Sequence, residues 1–292
     1  MKIALGTVQF GLPYGIANQT GQVGRSEAKE MLRVAAASGI DTLDTAIAYG
    51  ESETCLGEAG VQSFCLVTKL PAIPASCMDL RAWVREQVGL SLRRLGLSSV
   101  HGLLLHRSAD LLGIDGAILW RALEELRNSG LVRKIGVSVY APSEFEALAR
   151  LYRVDLVQAP FNIVDRRLAT SGWLDRLKDD DVEVHTRSVF LQGLLLMPPN
   201  SLPPEFSRWY ALFSRWHQWL SANDMSALQA CLSFSLGYPQ IDRVVVGADN
   251  MQHLQQIIDY SNRTLAGSLP DMESDDEVLI NPARWAELRS ST

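Results

Sequence analysis

Cysteines are few in this sequence, and their spacing matches neither a disulfide framework nor a metal-binding motif. Four cysteines, Cys55, Cys65, Cys77 and Cys231, occur among 292 residues, and no two of them form a C-x-x-C pair. In a chain long enough to bury a large core, isolated cysteines are typical of reduced and mostly packed thiols. We therefore do not expect disulfides to stabilise the fold.

Long apolar runs and an excess of positive charge are also absent. No run of apolar residues approaches the ~20 that a membrane-spanning helix requires. Near the N-terminus, Gly11 and Pro13 follow a short apolar segment before the centre of a signal peptide could form. The formal net charge of −6 gives no general attraction for nucleic acid or for an anionic membrane. We expect a cytoplasmic protein that binds neither.

Apolar segments with the length of strands alternate with segments of helical periodicity throughout the chain. Eight such units follow one another, and their strands are apolar throughout, as is typical of parallel strands covered on both faces. They favour a single (β/α)8 barrel domain over residues 1–292, with residues 271–292 as a C-terminal tail. An open, doubly wound sheet is the alternative, but the turn from Gly6 to Gly11 does not fit G-x-G-x-x-G.

The same periodicity predicts where individual helices begin and end. The clearest helix runs from Leu80 to Leu95, with an apolar stripe and Gly96 behind it. Another continuous helix is predicted from Leu168 to Lys178. Four prolines between residues 198 and 204 predict an irregular segment after the seventh strand.

Chemically active side chains occur at or just beyond the ends of three predicted strands. Asp44 ends the second strand, and Tyr49 follows in the next loop. Lys69 ends the third strand and His106 ends the fourth. The carboxyl ends of barrel strands form one mouth, where chemistry takes place. A tyrosine becomes a useful acid when a lysine held by a carboxylate stabilises its phenolate. The four residues therefore predict a single site.

These motifs resemble those of the aldo-keto reductases over residues 3–260. The most specific matches are Asp44-Thr45-Ala46-x-x-Tyr49-Gly50, Thr68-Lys69, Leu104-Leu105-His106, Ile135-Gly136-Val137-Ser138 and Gln158-Ala159-Pro160-Phe161-Asn162. Supporting matches are Gly6-Thr7 and Gln192-Gly193-Leu194-Leu195. The resemblance implies a barrel that binds NADP(H) or NAD(H) and reduces an aldehyde or ketone to the alcohol, or catalyses the reverse reaction.

The resemblance also implies a role for each of the four residues. Tyr49 would be the general acid that protonates the carbonyl oxygen. Lys69 would stabilise the tyrosinate, and Asp44 would hold Lys69 charged and oriented. His106 would donate a hydrogen bond to the carbonyl oxygen and so orient the substrate.

Cofactor-binding positions are implied at the other strand ends and in the loops that follow them. Ser138 and Gln158 match positions that hydrogen-bond the nicotinamide carboxamide. The other implied cofactor-binding residues are Gly6, Thr7, Asp44, Arg187, Ser188, Gln192, Gly193, Gly247, Asp249 and Gln256. The remaining histidines show no ligand spacing such as H-x-H, and no metal site is expected.

Three positions depart from the family pattern. Val139 stands where the family usually has asparagine, and Arg187 stands where many members place an aromatic residue against the nicotinamide. A guanidinium plane can stack on a ring, so Arg187 is a candidate substitute. The segment from Gly247 to Ile257 has no Arg or Lys to pair with a 2′-phosphate, and Asp249 would repel one. Both NADP(H) and NAD(H) therefore stay open.

The substrate is expected to be a small carbonyl compound or alcohol, with a sugar as one hypothesis. Its pocket walls are predicted to come from Phe10, Tyr14, Phe161 and the segment from Pro198 to Trp209. The alternative function is a non-enzymatic dinucleotide-binding subunit that senses redox state through a partner. Retention of all four catalytic residue types favours the enzyme, and the sequence does not predict an oligomeric state.

Overall fold

The computed structural model describes residues 1–265 and 267–289, and in these residues eight parallel strands form a closed barrel in chain order. The strands are Ile3–Gly6 (β1), Thr42–Asp44 (β2), Cys65–Leu70 (β3), Val100–Leu105 (β4), Val132–Ser138 (β5), Leu156–Pro160 (β6), Glu183–Arg187 (β7) and Arg243–Gly247 (β8). Pairing of β1 with β8 closes the barrel. The predicted (β/α)8 barrel is confirmed, and the open-sheet alternative is wrong.

The α-helices surround this barrel. They are Arg25–Ala37 (α1), Ser52–Ala59 (α2), Leu80–Leu95 (α3), Gly116–Asn128 (α4), Ser143–Leu148 (α5), Arg167–Thr170 (α6), Trp173–Asp179 (α7), Tyr210–Ala222 (α8), Ala227–Leu236 (α9), Met251–Tyr260 (α10), Glu277–Ile280 (α11) and Trp285–Arg289 (α12). Helix α3 has the predicted bounds. The single helix predicted from Leu168 to Lys178 is wrong, because Gly172 adopts a left-handed conformation with φ 77° and separates α6 from α7.

Apolar side chains fill two regions of the barrel. The larger one lies between the strands and the amphipathic helices, where residues such as Leu5, Leu43 and Leu123 are fully buried. A small separate cluster consists of Val67, Leu104 and Leu156. The strands are buried along nearly their whole length, as their continuous apolar sequences predict.

The proline-containing segment after β7 is irregular, as predicted. It forms short 3₁₀ turns at Leu191–Leu196, Pro199–Ser201 and Pro204–Trp209. The tail packs on it, since the Trp285 ring meets the Phe206 ring edge-on with centroids 5.0 Å apart. Residues 290–292 of the predicted tail lie outside the described residues.

No helix in residues 1–265 and 267–289 has the length and apolar composition required to cross a membrane. The four cysteines are free thiols, and of these Cys55 and Cys231 are buried.

Candidate active site

A cavity of about 1080 Å³ lies at the carboxyl ends of the strands. The predicted site residues that line it are Gly6, Thr7, Asp44, Tyr49, His106, Ser138, Gln158, Arg187, Ser188, Gln192, Gly193, Gly247, Asp249 and Gln256. Lys69 is fully buried and bonded to Asp44, which does line the cavity. The fold therefore brings together all the residues that the sequence proposed for catalysis and cofactor binding.

Lys69 and Asp44 form a buried ion pair between the neighbouring strands β3 and β2. The Lys69 Nζ donates to Asp44 Oδ1 at 2.6 Å and to the carbonyl oxygen of Thr45 at 2.9 Å. Gln158 Nε2 donates to the other carboxylate oxygen of Asp44 at 2.7 Å. Burial disfavours the ammonium, but the attraction of Asp44 and Tyr49 outweighs it, and the pKa of Lys69 is raised above its ordinary value. Lys69 therefore remains a cation inside the barrel.

Tyr49 and His106 lie beside this pair. The Lys69 Nζ is 5.1 Å from the centroid of the Tyr49 ring. The Tyr49 and His106 rings meet edge to face, with centroids 5.8 Å apart and an interplanar angle of 79°. Burial, together with the charges of Lys69 and Arg187, lowers the pKa of His106 to about 4. The imidazole is therefore neutral near physiological pH and can donate a hydrogen bond without carrying charge.

The loop that carries Tyr49 is held by close contact between two backbone segments. A Cβ atom at Gly11 would lie 1.8 Å from the Tyr49 carbonyl oxygen, and one at Gly50 would lie 2.6 Å from the Gly11 carbonyl oxygen. Gly50 also has a positive φ of 53°. The Ser52 hydroxyl then donates to the Thr7 carbonyl oxygen at 2.8 Å. These contacts fix the start of α2, and with it Tyr49, against the end of β1.

Arg187 bridges the ends of β7 and β5. Its Nη2 donates to the Val139 carbonyl oxygen at 3.0 Å, and its Nη1 donates to Ser188 Oγ at 3.1 Å. Its guanidinium carbon lies 4.5 Å from the centroid of the Tyr140 ring. Stacking of Arg187 on a nicotinamide ring stays a prediction.

Acidic side chains occur where the cavity reaches the start of α10. Asp249 lines the cavity there, and Glu27 Oε1 accepts a hydrogen bond from the Met251 amide at 2.9 Å. Asn250 Oδ1 caps the helix by accepting from the His253 amide at 2.8 Å. Two amides at this helix terminus are therefore already bonded to acceptors from the protein itself.

The cavity lining fits a dinucleotide. Gln9 Oε1 and Gln158 Oε1 are buried acceptors without a partner in the described residues, and both side chains line the cavity. The bond from Gln158 Nε2 to Asp44 fixes the amide so that its oxygen is the free atom. A ligand with N–H or O–H donors would satisfy these acceptors. The cavity volume of about 1080 Å³ lies at the upper end of the range for small-molecule sites. It therefore leaves room for a cofactor and a small substrate.

The prediction of the pocket walls was only partly correct. Tyr14 lines the cavity, as do Pro198, Ser201 and Pro203. The prediction was wrong for three aromatic residues, Phe10, Phe161 and Trp209, which are buried away from it. Phe161 stacks on Phe234 with centroids 5.1 Å apart, and Trp209 Nε1 donates to Asp276 at 3.2 Å.

Gln9, Asn18 and Tyr140 are among the cavity residues that sequence reasoning missed. Tyr140 lies two positions beyond the end of β5, so extending the search past each strand end would have found it. Gln9 and Asn18 belong to the loop after β1, which its turn residues marked only as irregular. No periodic signal distinguishes them.

A closed barrel with ionisable side chains gathered in a cavity at the carboxyl ends of its strands defines a (β/α)8 enzyme. The family model described as the Aldo/keto reductase family matches residues 2–268. The chain belongs to this family of oxidoreductases, which act on small molecules.

Individual relatives are distant in sequence. The chain is 26% identical over 259 residues to the uncharacterized oxidoreductase YqkF of Bacillus subtilis, covering 82% of this chain and 83% of that protein. It is 28% identical over 113 residues to an NADH-specific methylglyoxal reductase of Escherichia coli, covering 38% and 34%. The holo form of an aldo-keto reductase from Bacillus halodurans is similar with a TM-score of 0.72 and 22% identity, covering 91% and 88%. The structural similarity supports the shared fold.

Proposed function

We propose that the protein is an NAD(P)H-dependent reductase of an aldehyde or ketone, or a dehydrogenase of the corresponding alcohol, with Tyr49 as general acid. The observation that carries the proposal is the contact of Tyr49 with both Lys69 and His106 at the cavity wall. Membership of a family of oxidoreductases supports the same reaction class.

Each side chain of the cluster has a distinct task. When bound in the cavity, a reduced dinucleotide would supply the hydride that the carbonyl carbon receives. Tyr49 gives its phenolic proton to the carbonyl oxygen, and the charge of Lys69 favours the phenolate that remains. Asp44 keeps Lys69 charged through the 2.6 Å contact. Neutral His106 donates a hydrogen bond to the same carbonyl oxygen and orients the substrate. In the oxidation of an alcohol the proton moves in the opposite direction.

Replacement of Tyr49 by phenylalanine tests the proposal. We expect Tyr49→Phe to lower kcat by ~10²–10⁴-fold, which is the usual contribution of general acid catalysis. Dinucleotide affinity, measured by intrinsic tryptophan fluorescence, should stay close to that of the parent, because the substitution removes one hydroxyl group. Tyr210→Phe, at an exposed tyrosine of α8, is the matched control. A Tyr49→Phe enzyme as active as the parent would contradict the proposal.

A panel of aldehydes, ketones and aldoses distinguishes the enzyme from a redox-sensing subunit. Loss of NADH or NADPH absorbance with any of these compounds supports the reductase. Binding of a dinucleotide without turnover of any compound supports the sensor.

The charges at the start of α10 favour NADH over NADPH. In the family, this region receives the 2′-phosphate of NADP(H). Here Asp249 lines the cavity and would repel a phosphate, and the Met251 amide already donates to the carboxylate of Glu27. A carboxylate can instead accept a hydrogen bond from the free 2′-hydroxyl of NAD(H). The similarity to an NADH-specific methylglyoxal reductase agrees with this assignment.

Fluorescence titration with both dinucleotides tests the cofactor assignment. We expect the parent to bind NADH at least about tenfold more tightly than NADPH, as repulsion of a phosphate by nearby carboxylates requires. Glu27→Gln and Asp249→Asn should each reduce this ratio. Glu30→Gln, on the same helix but bonded to Arg33, is the control. Tighter binding of NADPH by the parent would refute the assignment.

A further inference from the structure

Arg187 is a cation at the cavity wall without an acidic partner. Within residues 1–265 and 267–289, its side chain bonds the neutral oxygens of Val139 and Ser188, and no Asp or Glu forms an ion pair with it. Arginine side chains that are partly buried are normally paired with a carboxylate, because removal from water is costly for a lone charge. The guanidinium has five N–H donors, of which these two bonds use only part.

Contacts with the protein hold this guanidinium in place. The guanidinium carbon lies over the Tyr140 ring, 4.5 Å from its centroid, and the Val139 carbonyl oxygen accepts from Nη2. An arginine fixed in this way loses little conformational entropy when it binds a ligand. The remaining N–H groups are available to a ligand in the cavity, because Arg187 is one of the cavity-lining residues.

The charge of Arg187 acts at the end of the cavity that contains the reactive residues. Arg187 lines the same cavity as Tyr49 and His106, and after burial and Lys69 it is the next cause of the lowered pKa of His106. The charges of Lys69 and Asp44 cancel within their own pair. Since His106 is neutral, this end of the cavity carries a net positive charge although the whole chain has a net charge of −6.

We propose that Arg187 binds an oxyanion of the substrate, and that the natural substrate is a carbonyl compound, or its alcohol, bearing a carboxylate or phosphate group. The planar fork of a guanidinium matches both oxyanions by paired hydrogen bonds. A sugar acid or a sugar phosphate would belong to this class. The inference rests on the proposed function, since it places the oxyanion beside the general acid Tyr49.

Matched pairs of substrates test the inference by kinetics. One pair is succinic semialdehyde and butanal, and the other is glyceraldehyde 3-phosphate and glyceraldehyde. The two pairs distinguish a carboxylate from a phosphate. The enzymes compared are the parent, Arg187→Gln, Arg187→Lys and Arg133→Gln. The last of these removes the same charge at an exposed position of β5 that does not line the cavity.

The measured quantity is the ratio of kcat/KM for the anionic member of a pair to that for its neutral partner. We expect Arg187→Gln to lower this ratio by about 10- to 100-fold for at least one pair, as loss of a charge-assisted hydrogen bond requires. The ratio for Arg187→Lys should lie between those of the parent and Arg187→Gln, and the ratio for Arg133→Gln should equal that of the parent. The inference is overturned if Arg187→Gln changes kcat/KM by the same factor for both members of each pair, or if it weakens only dinucleotide affinity.

A binding measurement keeps the inference testable without turnover. Isothermal titration calorimetry with succinate and with inorganic phosphate compares Arg187→Gln and Arg133→Gln. Weaker anion binding in Arg187→Gln alone supports the inference, and equal binding in the two variants overturns it. Absence of turnover with every neutral and anionic compound would count against the proposed function, whereas the calorimetry would still decide the role of Arg187.

Discussion

The Nζ atom of Lys69 lies 2.6 Å from Oδ1 of Asp44, and both side chains are almost completely buried. Lys69→Met would leave the Asp44 carboxylate buried without its cation. We expect this change to lower the free energy of unfolding by about 3–5 kcal/mol, which is typical when one partner of a buried pair is removed. Urea denaturation measures it, with Arg33→Met at the exposed pair with Glu30 as control. Equal stability of the two variants would show that the buried pair contributes little.

A second prediction concerns the contact that holds the Tyr49 loop. An alanine Cβ at position 11 would lie 1.8 Å from the Tyr49 carbonyl oxygen and 2.5 Å from the Ser52 amide nitrogen. We expect Gly11→Ala to displace this loop and to lower both kcat and Tm. Gly24→Ala is the matched control, because Gly24 has φ −67° and a Cβ added there would meet no other segment within 4 Å. Parent-like activity of Gly11→Ala would mean that the loop tolerates displacement.

The catalytic cluster could be predicted because it depends on few structural variables. Asp44, Lys69 and His106 lie at or next to the ends of strands that their apolar sequences identify. In a parallel barrel, these ends converge whatever the details of the helices. The bounds of α3 were also predictable, since its apolar stripe and Gly96 mark them directly.

The aromatic walls of the cavity could not be predicted in the same way. Phe161 follows β6 as Tyr140 follows β5, yet Phe161 is buried against Phe234 whereas Tyr140 lines the cavity. The difference depends on α9, which lies far along the chain and places Phe234 against Phe161. Local sequence also missed the break at Gly172, because an isolated glycine within a helical pattern is often tolerated.

The titration of His106 gives a third prediction. Burial, Lys69 and Arg187 lower the pKa of His106 to about 4. Nuclear magnetic resonance should therefore detect its titration near that pH rather than near the ordinary value of about 6.5. As the pH falls from about 6.5 to about 4, the unfolded chain binds a proton that the folded protein does not. In this range His106 therefore lowers the free energy of unfolding. Arg187→Gln should raise the midpoint, and an unchanged midpoint would show that Arg187 is too distant to act.

The fourth prediction concerns Glu183 at the opposite end of β7 from Arg187. Its carboxylate accepts from His185 Nε2 at 2.7 Å and His101 Nε2 at 2.9 Å, and Lys134 Nζ lies at 2.7 Å. Burial opposes ionisation, but these donors outweigh it and hold the pKa of Glu183 well below its usual range.

Such a depressed pKa stabilises the folded protein above the ordinary pKa of about 4.3, and the contribution is lost as the pH falls further. We expect Glu183→Gln to lower the free energy of unfolding by about 1.5–3 kcal/mol near neutral pH. The difference from the parent should shrink in acid. Urea denaturation near neutral pH and in acid measures this difference, with Glu86→Gln at an exposed position as the control. A difference that stayed constant between the two pH values would show that the lost contacts act through packing and not through the charge of Glu183.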